Sequence, residues 1–117
     1  MSSQYEPASI LVVVPTLNEA EHIETCLISL MDGAKDVDQM SIVVADGGST
    51  DATRKIVSRM AETRPNLTLI DNPGRLQSRA VNLAVRQAGE QMRIMVRCDA
   101  HAVYPANFVS DLSLIHI

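Results

Sequence analysis

The stretch Ile10-Leu11-Val12-Val13-Val14-Pro15-Thr16-Leu17-Asn18-Glu19 passes from an unbroken apolar run into a polar segment. A run without polar alternates has no face to give to water, so residues 10–14 read as a strand covered on both sides, as in a parallel sheet. Pro15 is expected to end it, because a proline nitrogen carries no hydrogen for a ladder. Beyond it, Asn18 can cap a helix with Glu21 as capping-box partner. Ile23, Cys26, Leu27, Leu30 and Met31 then recur at helical spacing, with Gly33 as the stop.

The same succession returns along the chain. Residues 41–45 form a second apolar run, residues 46–49 a turn, and residues 51–62 a helix with Ile56, Val57 and Met60 facing inward, closed by Pro65. Residues 67–70 predict a third strand, residues 71–74 a loop, and residues 76–87 a helix with Ala80, Leu83 and Ala84 on one face before Gly89. Residues 93–98 predict a fourth strand, after which Pro105 can open another helix. Strands alternating with helices at this spacing belong to the α/β class: an open, mainly parallel sheet with helices on both faces. Residues 1–8 read as an N-terminal tail. Residues 110–117, ending Leu-Ile-His-Ile, carry no stop signal and read as a truncated or non-native tail.

Composition narrows the function classes. The 117 residues allow one small domain or a piece of a larger one. With 10 basic and 14 acidic residues the net charge is −4, the wrong sign for broad attraction to nucleic acid. Aromatics at 3% leave almost nothing for stacking on bases. No run approaches the ~20 apolar residues of a membrane span, and the N-terminus lacks the pattern of a signal peptide. The chain therefore reads as cytoplasmic, with membrane association of a full-length parent left open. Cys26 and Cys98 form no metal or redox spacing and read as structural thiols, and His22 is expected to face solvent.

In open α/β sheets, ligands bind beyond the carboxyl ends of the strands. Four segments should line that rim: residues 15–19, 46–51, 72–75 and 99–101. Capping and turn chemistry explain Asn18, Ser49 and Gly74 singly; the four segments together favour a site. Gly47-Gly48 lets backbone amides approach a ligand, while neither the dinucleotide fingerprint nor the P-loop is present. Asp99 and His101 place a carboxylate and an imidazole where a strand ends. Both can turn to one divalent cation, Mg²⁺ or Mn²⁺, unless they are only a solvated acid and a capping histidine. Arg75 and Arg79, one helical turn apart, can clamp a phosphate, whereas Arg86 reads as a solvated side chain.

Residues 12–19 (VVVPTLNE), 43–51 (VVADGGSTD), 72–75 (NPGR) with Arg79 and Asn82, and 97–101 (RCDAH) resemble the family 2 glycosyltransferases of GT-A fold. With Tyr104-Pro105, the last motif is most similar to the bacterial succinoglycan and exopolysaccharide biosynthesis enzymes. The resemblance covers about residues 9–109 and implies a Rossmann-like nucleotide-sugar-binding half. It implies inverting transfer of a hexose from a nucleotide sugar, commonly a UDP-sugar, to a saccharide or lipid-linked acceptor, with Mn²⁺ or Mg²⁺ as cofactor. On it, Thr16 and Glu19 cradle the nucleoside, Asp46 pairs with the base, and Arg79 approaches the donor. Pro15, Gly48 and Arg75 complete the donor contacts, and Asp99 and His101 hold the metal. The departures are Leu17 for an aromatic, Gly47 for a second acid, and His101 for the last Asp of D-x-D.

The resemblance further implies a general base and acceptor-binding half downstream of residue 117, so this chain is expected to be inactive alone. Asp46, as a loop carboxylate, is expected to add little to the core. Strand four would be left as an edge, favouring a homo-oligomer through it or through the tail. The competing readings are a noncatalytic α/β binding or assembly module and, last, a nucleotidyltransferase.

Overall fold

The computed structural model describes residues 10–32, 40–73, 82–84, 86, 94–105 and 108. The elements run β1 (Ile10–Thr16), α1 (Ile23–Met31), β2 (Met40–Asp46), α2 (Thr53–Ala61), β3 (Leu67–Asp71) and β4 (Ile94–Arg97). They form a four-stranded sheet in the order β3-β2-β1-β4, with every pairing parallel. The chain steps outward from β1 to β3, then returns to place β4 on the other side of β1. The sheet therefore reverses its winding between β1 and β4, the kind of place where α/β folds open a crevice.

The apolar runs are explained by two covered faces. Ile10, Val12, Val14, Met40, Ile42, Val44 and Leu67 point one way and pack with Ile23, Cys26, Leu27 and Leu30 of α1 and Val57 and Met60 of α2. Their alternates Leu11, Val13, Val43 and Ala45 point the other way and pack with Ala84, in the helical residues 82–84. Helices thus stand on both sides, as the periodicity predicts. Each fully buried Val, Leu or Ile contributes about 1.5–3 kcal/mol relative to exposure, so these two strands dominate the core.

Two sequence expectations are corrected. The first strand does not stop at Pro15 but continues to Thr16, with Pro15 in register with Ala45. Val13 accepts a hydrogen bond from the Cys98 amide, so the odd-numbered backbone groups of β1 face β4. The β4 ladder ends at Val13 and Arg97, and the missing hydrogen of Pro15 falls where no ladder partner waits. The second correction is Asn18, which does not cap α1: that helix begins at Ile23, after a turn in which the Glu19 carbonyl accepts from the amides of His22 and Ile23.

The fourth strand falls where expected, and beyond Pro105 the described residue Phe108 is helical, its amide donating to the Pro105 carbonyl at 3.0 Å. The expectations for Gly33, Gly74, Arg75, Arg79, Gly89 and both tails lie outside the described residues.

Candidate functional site

A cleft of about 420 Å³ opens over the carboxyl ends of the strands. Pro15, Thr16, Leu17 and Glu19 line it from β1, Gly47 from β2, Asn72 from β3, and Arg97, Cys98 and Asp99 from β4, with Tyr104 beyond. The four segments selected from sequence are therefore brought to one rim. Gly48 stands beside it at φ 103°, a left-handed backbone that only glycine adopts without cost.

Beneath the cleft lies Asp46, whose residue surface is 1% exposed. Its Oδ1 accepts from the Thr16 hydroxyl at 2.9 Å and from the Ser49 hydroxyl. Its Oδ2 accepts from the amides of Gly48 at 3.1 Å and Ser49 at 2.8 Å, and from the Arg54 guanidinium at 3.2 Å. Burial pushes this carboxyl up, but the Ser49, Thr16 and Gly48 hydrogen bonds outweigh it and hold its pKa below the ordinary value. Five donors fill both oxygens. The expectation that Asp46 adds little to the core is corrected by this arrangement: it is an anchor of the fold rather than a marginal loop acid. Sequence reasoning missed Arg54, which also bridges to Asp71 at 2.7 Å; no spacing rule joins a helix residue to the ends of two strands.

Asn18 sits at φ 54° and ties two loops together. Its Oδ1 accepts from the amides of Thr50 at 2.8 Å and Asp51 at 3.2 Å, and its own amide donates to Ser49 Oγ at 2.8 Å. Through Ser49 this staple reaches Asp46. The next turn is fixed by Asp51, which accepts from the amide of Thr53, while Thr53 Oγ1 receives the Glu19 amide at 2.8 Å. The Thr53 hydroxyl holds the Asp51 carboxyl below its ordinary pKa.

On the β4 side, the Asp99 amide donates to the Tyr104 phenol oxygen at 2.8 Å. Tyr104 is in turn held to α1 by its amide, which donates to Ser29 Oγ at 2.9 Å, and its ring lies 4.7 Å from that of Phe108. Burial pushes the phenol up to about 12, so it stays protonated. Cys26 and Cys98 are buried, and burial pushes their thiols up to about 12 and about 11, consistent with inert core residues.

His101 is 60% exposed in its side chain, and its Nδ1 lies 3.1 Å from Glu19 Oε2 and 3.7 Å from Asp99 Oδ1. The Glu19 side chain is only 14% exposed. Its Oε1 is buried and has no hydrogen-bond partner among the described residues, although Glu19 lines the cleft. Among the described residues no group of three or more His, Cys, Asp or Glu is arranged to hold a metal. Asp99 and His101 thus form at most a two-ligand, open set.

Comparison with known proteins places this architecture. The family model described as "Glycosyl transferase family 2" matches residues 11–113. This chain belongs to glycosyl transferase family 2. Among relatives, the succinoglycan biosynthesis protein ExoA of Rhizobium meliloti is 41% identical over 111 residues, covering 95% of this chain and 33% of that protein. The chain spans about a third of the length of the curated relatives it matches.

Two solved members of the same fold align closely. The mannosyltransferase PcManGT of Pyrobaculum calidifontis, in complex with GDP-Man and Mn²⁺, superposes with a TM-score of 0.73 at 36% identity, over 92% of this chain and 33% of that one. TarS of S. aureus gives a TM-score of 0.73 at 23% identity, over 91% of this chain and 31% of that one, a likeness of fold alone. The GT-A glycosyltransferase architecture expected of the family 2 motifs is thereby established. Among the described residues no helix is long and apolar enough to cross a membrane.

Proposed function

We propose that residues 9–109 form the donor-binding half of an inverting, nucleotide-sugar-dependent glycosyltransferase of polysaccharide biosynthesis. The observation that carries this reading is the convergence of Thr16, Glu19, Asn72 and Asp99 on one cleft at the reversal of the sheet. Thr16 and Glu19 cradle the nucleoside, and the glycine backbone at 47–48 admits it closely. Asp46 supports that floor from below through Thr16 and Gly48. The phosphate roles of Arg75 and Arg79 rest on the sequence resemblance.

The residues present fit a divalent cation, Mn²⁺ or Mg²⁺. Asp99 supplies a carboxylate that is 72% exposed, His101 supplies an imidazole beside it, and two ligands leave room for a diphosphate. A cation bound there neutralises charge on the departing nucleoside diphosphate. Asp99 and His101 would hold it, the Tyr104 phenol fixes the backbone that carries them, and the cleft walls orient the sugar. Proton abstraction from the acceptor is assigned to sequence outside this chain, consistent with relatives about three times as long.

The motifs favour a UDP-sugar. A GDP-sugar is the second reading, because the 36% identical PcManGT was solved with GDP-Man and Mn²⁺. Titration calorimetry with UDP and GDP, each with and without Mn²⁺, tests the proposal. It expects one nucleotide to bind, and to bind more tightly with the metal. Absence of heat with both nucleotides would favour the noncatalytic module, and equal heats without metal would remove the role of Asp99 and His101.

A further inference from the structure

We propose that Asn18 is a positioning residue of the cleft, one that sets the wall at Leu17 and Glu19 against the floor at residues 46–51 before a nucleotide arrives. The inference rests on the reading that this cleft binds a nucleotide.

Leu17 and Glu19 line the cleft, and Asn18 between them does not. Its φ of 54° lies in the left-handed region, which costs a residue with a side chain and which asparagine enters more readily than most. Such a backbone persists only where its surroundings enforce it. Here the side chain is committed to the neighbouring loop. Its Oδ1 accepts from the amides of Thr50 at 2.8 Å and Asp51 at 3.2 Å and, at 3.4 Å, from the Thr50 hydroxyl.

The backbone of Asn18 closes a ring of contacts around the residue before it. Its amide donates to Ser49 Oγ at 2.8 Å, the Ser49 hydroxyl donates to Asp46 Oδ1, and the same oxygen accepts from Thr16 Oγ1 at 2.9 Å. Thr16 and Asn18 are thus tied to one carboxylate from either side of Leu17, which fixes that residue although it is 40% exposed. On the other side, the Glu19 amide donates to Thr53 Oγ1 at 2.8 Å and the Ala20 amide to Asp51 Oδ2 at 3.2 Å. Because the Asp51 amide is held by Asn18, both halves of this seam meet at one side chain.

Core packing does not account for the seam. Asn18, Thr50 and Asp51 are all exposed, so water could satisfy the same amides. What the asparagine adds is the loss of freedom between two loops, and a cleft whose walls already stand in place has less to order when a ligand binds. Asn18 therefore acts through Leu17, Glu19 and Ser49 rather than by touching the nucleotide.

The test uses the full chain and two variants. Asn18→Gly keeps the left-handed backbone without cost and removes the acceptor, whereas Asn18→Asp keeps an acceptor and tolerates that backbone. Calorimetric titration with UDP and GDP in the presence of Mn²⁺ reads affinity, in about 0.5 M salt to screen the added aspartate charge. Hydrogen exchange at the Thr50 and Asp51 amides reads the seam, and circular dichroism confirms that each variant is folded. Asn18→Gly should exchange faster at both amides and bind the nucleotide about 10-fold more weakly, the loss expected when about a tenth of the molecules hold the arranged cleft. Asn18→Asp should recover most of that affinity, an outcome that a residue serving stability alone would not produce. Unchanged affinity in Asn18→Gly, equal losses in the two variants, or loss of the folded state in Asn18→Gly overturns this inference and leaves the nucleotide reading standing. No binding of either nucleotide by the unaltered chain overturns the nucleotide reading and the inference with it.

Discussion

Asp46 carries more of this fold than a rim carboxylate would. It joins β1 through Thr16, the following loop through Gly48 and Ser49, and α2 through Arg54. Replacing it with alanine strands buried donors, each costing about 1–3 kcal/mol when no water reaches it, so Asp46→Ala should lose about 3 kcal/mol in denaturant unfolding. Any loss of nucleotide affinity in that variant must then be read against its stability. The sign with pH follows from the lowered carboxyl: its stabilisation is complete above the unfolded value and is lost as pH falls from about 4 through the folded one. Asp46→Asn should flatten the acid limb of a pH–stability curve, and an unchanged limb would contradict the hydrogen-bond account. The sequence made the position of Asp46 legible, because a polar residue must follow a buried strand. Its burial was not legible, because it depends on a hydroxyl thirty positions earlier in the chain.

The strands were readable almost to the residue, since an apolar run buried on two faces has no other use in a domain of this size. The boundaries failed where a local rule met a tertiary one. Asn18 and Glu21 have the spacing of a capping box, yet the Asn18 side chain finds better-placed donors at Thr50 and Asp51, and α1 starts later. Pro15 failed as a strand end because the neighbour it would have faced stops two residues earlier. The loop after β4 was legible only as a motif; that Tyr104 fastens it to α1 needs the fold. Tyr104→Phe keeps the ring against Phe108 and removes the acceptor for the Asp99 amide, together with the longer bond that the phenol donates to the Asp99 carbonyl at 3.4 Å. Hydrogen exchange at the Asp99 amide should accelerate several-fold, with a stability loss of about 1 kcal/mol. Unchanged exchange there would show that the phenol does not hold the loop.

Taken together, the parallel order β3-β2-β1-β4 gathers the polar ends of all four strands on one side and leaves the opposite ends to close the core. Under the proposed function, a chain with few aromatics and a net negative charge would hold an anion through backbone amides, glycine turns and a cation held by Asp99 and His101, rather than through surface basicity. The most direct measurement is paramagnetic broadening of backbone amide signals by substoichiometric Mn²⁺ in the presence of the nucleotide. Signals of Asp99, Ala100, His101 and Glu19 should broaden first, followed by Thr16 and Gly47, while Met40 and Leu67 at the other ends of their strands stay sharp. Broadening centred elsewhere, or spread evenly over exposed acids such as Glu24 and Glu62, would contradict a donor site at the carboxyl rim of the sheet.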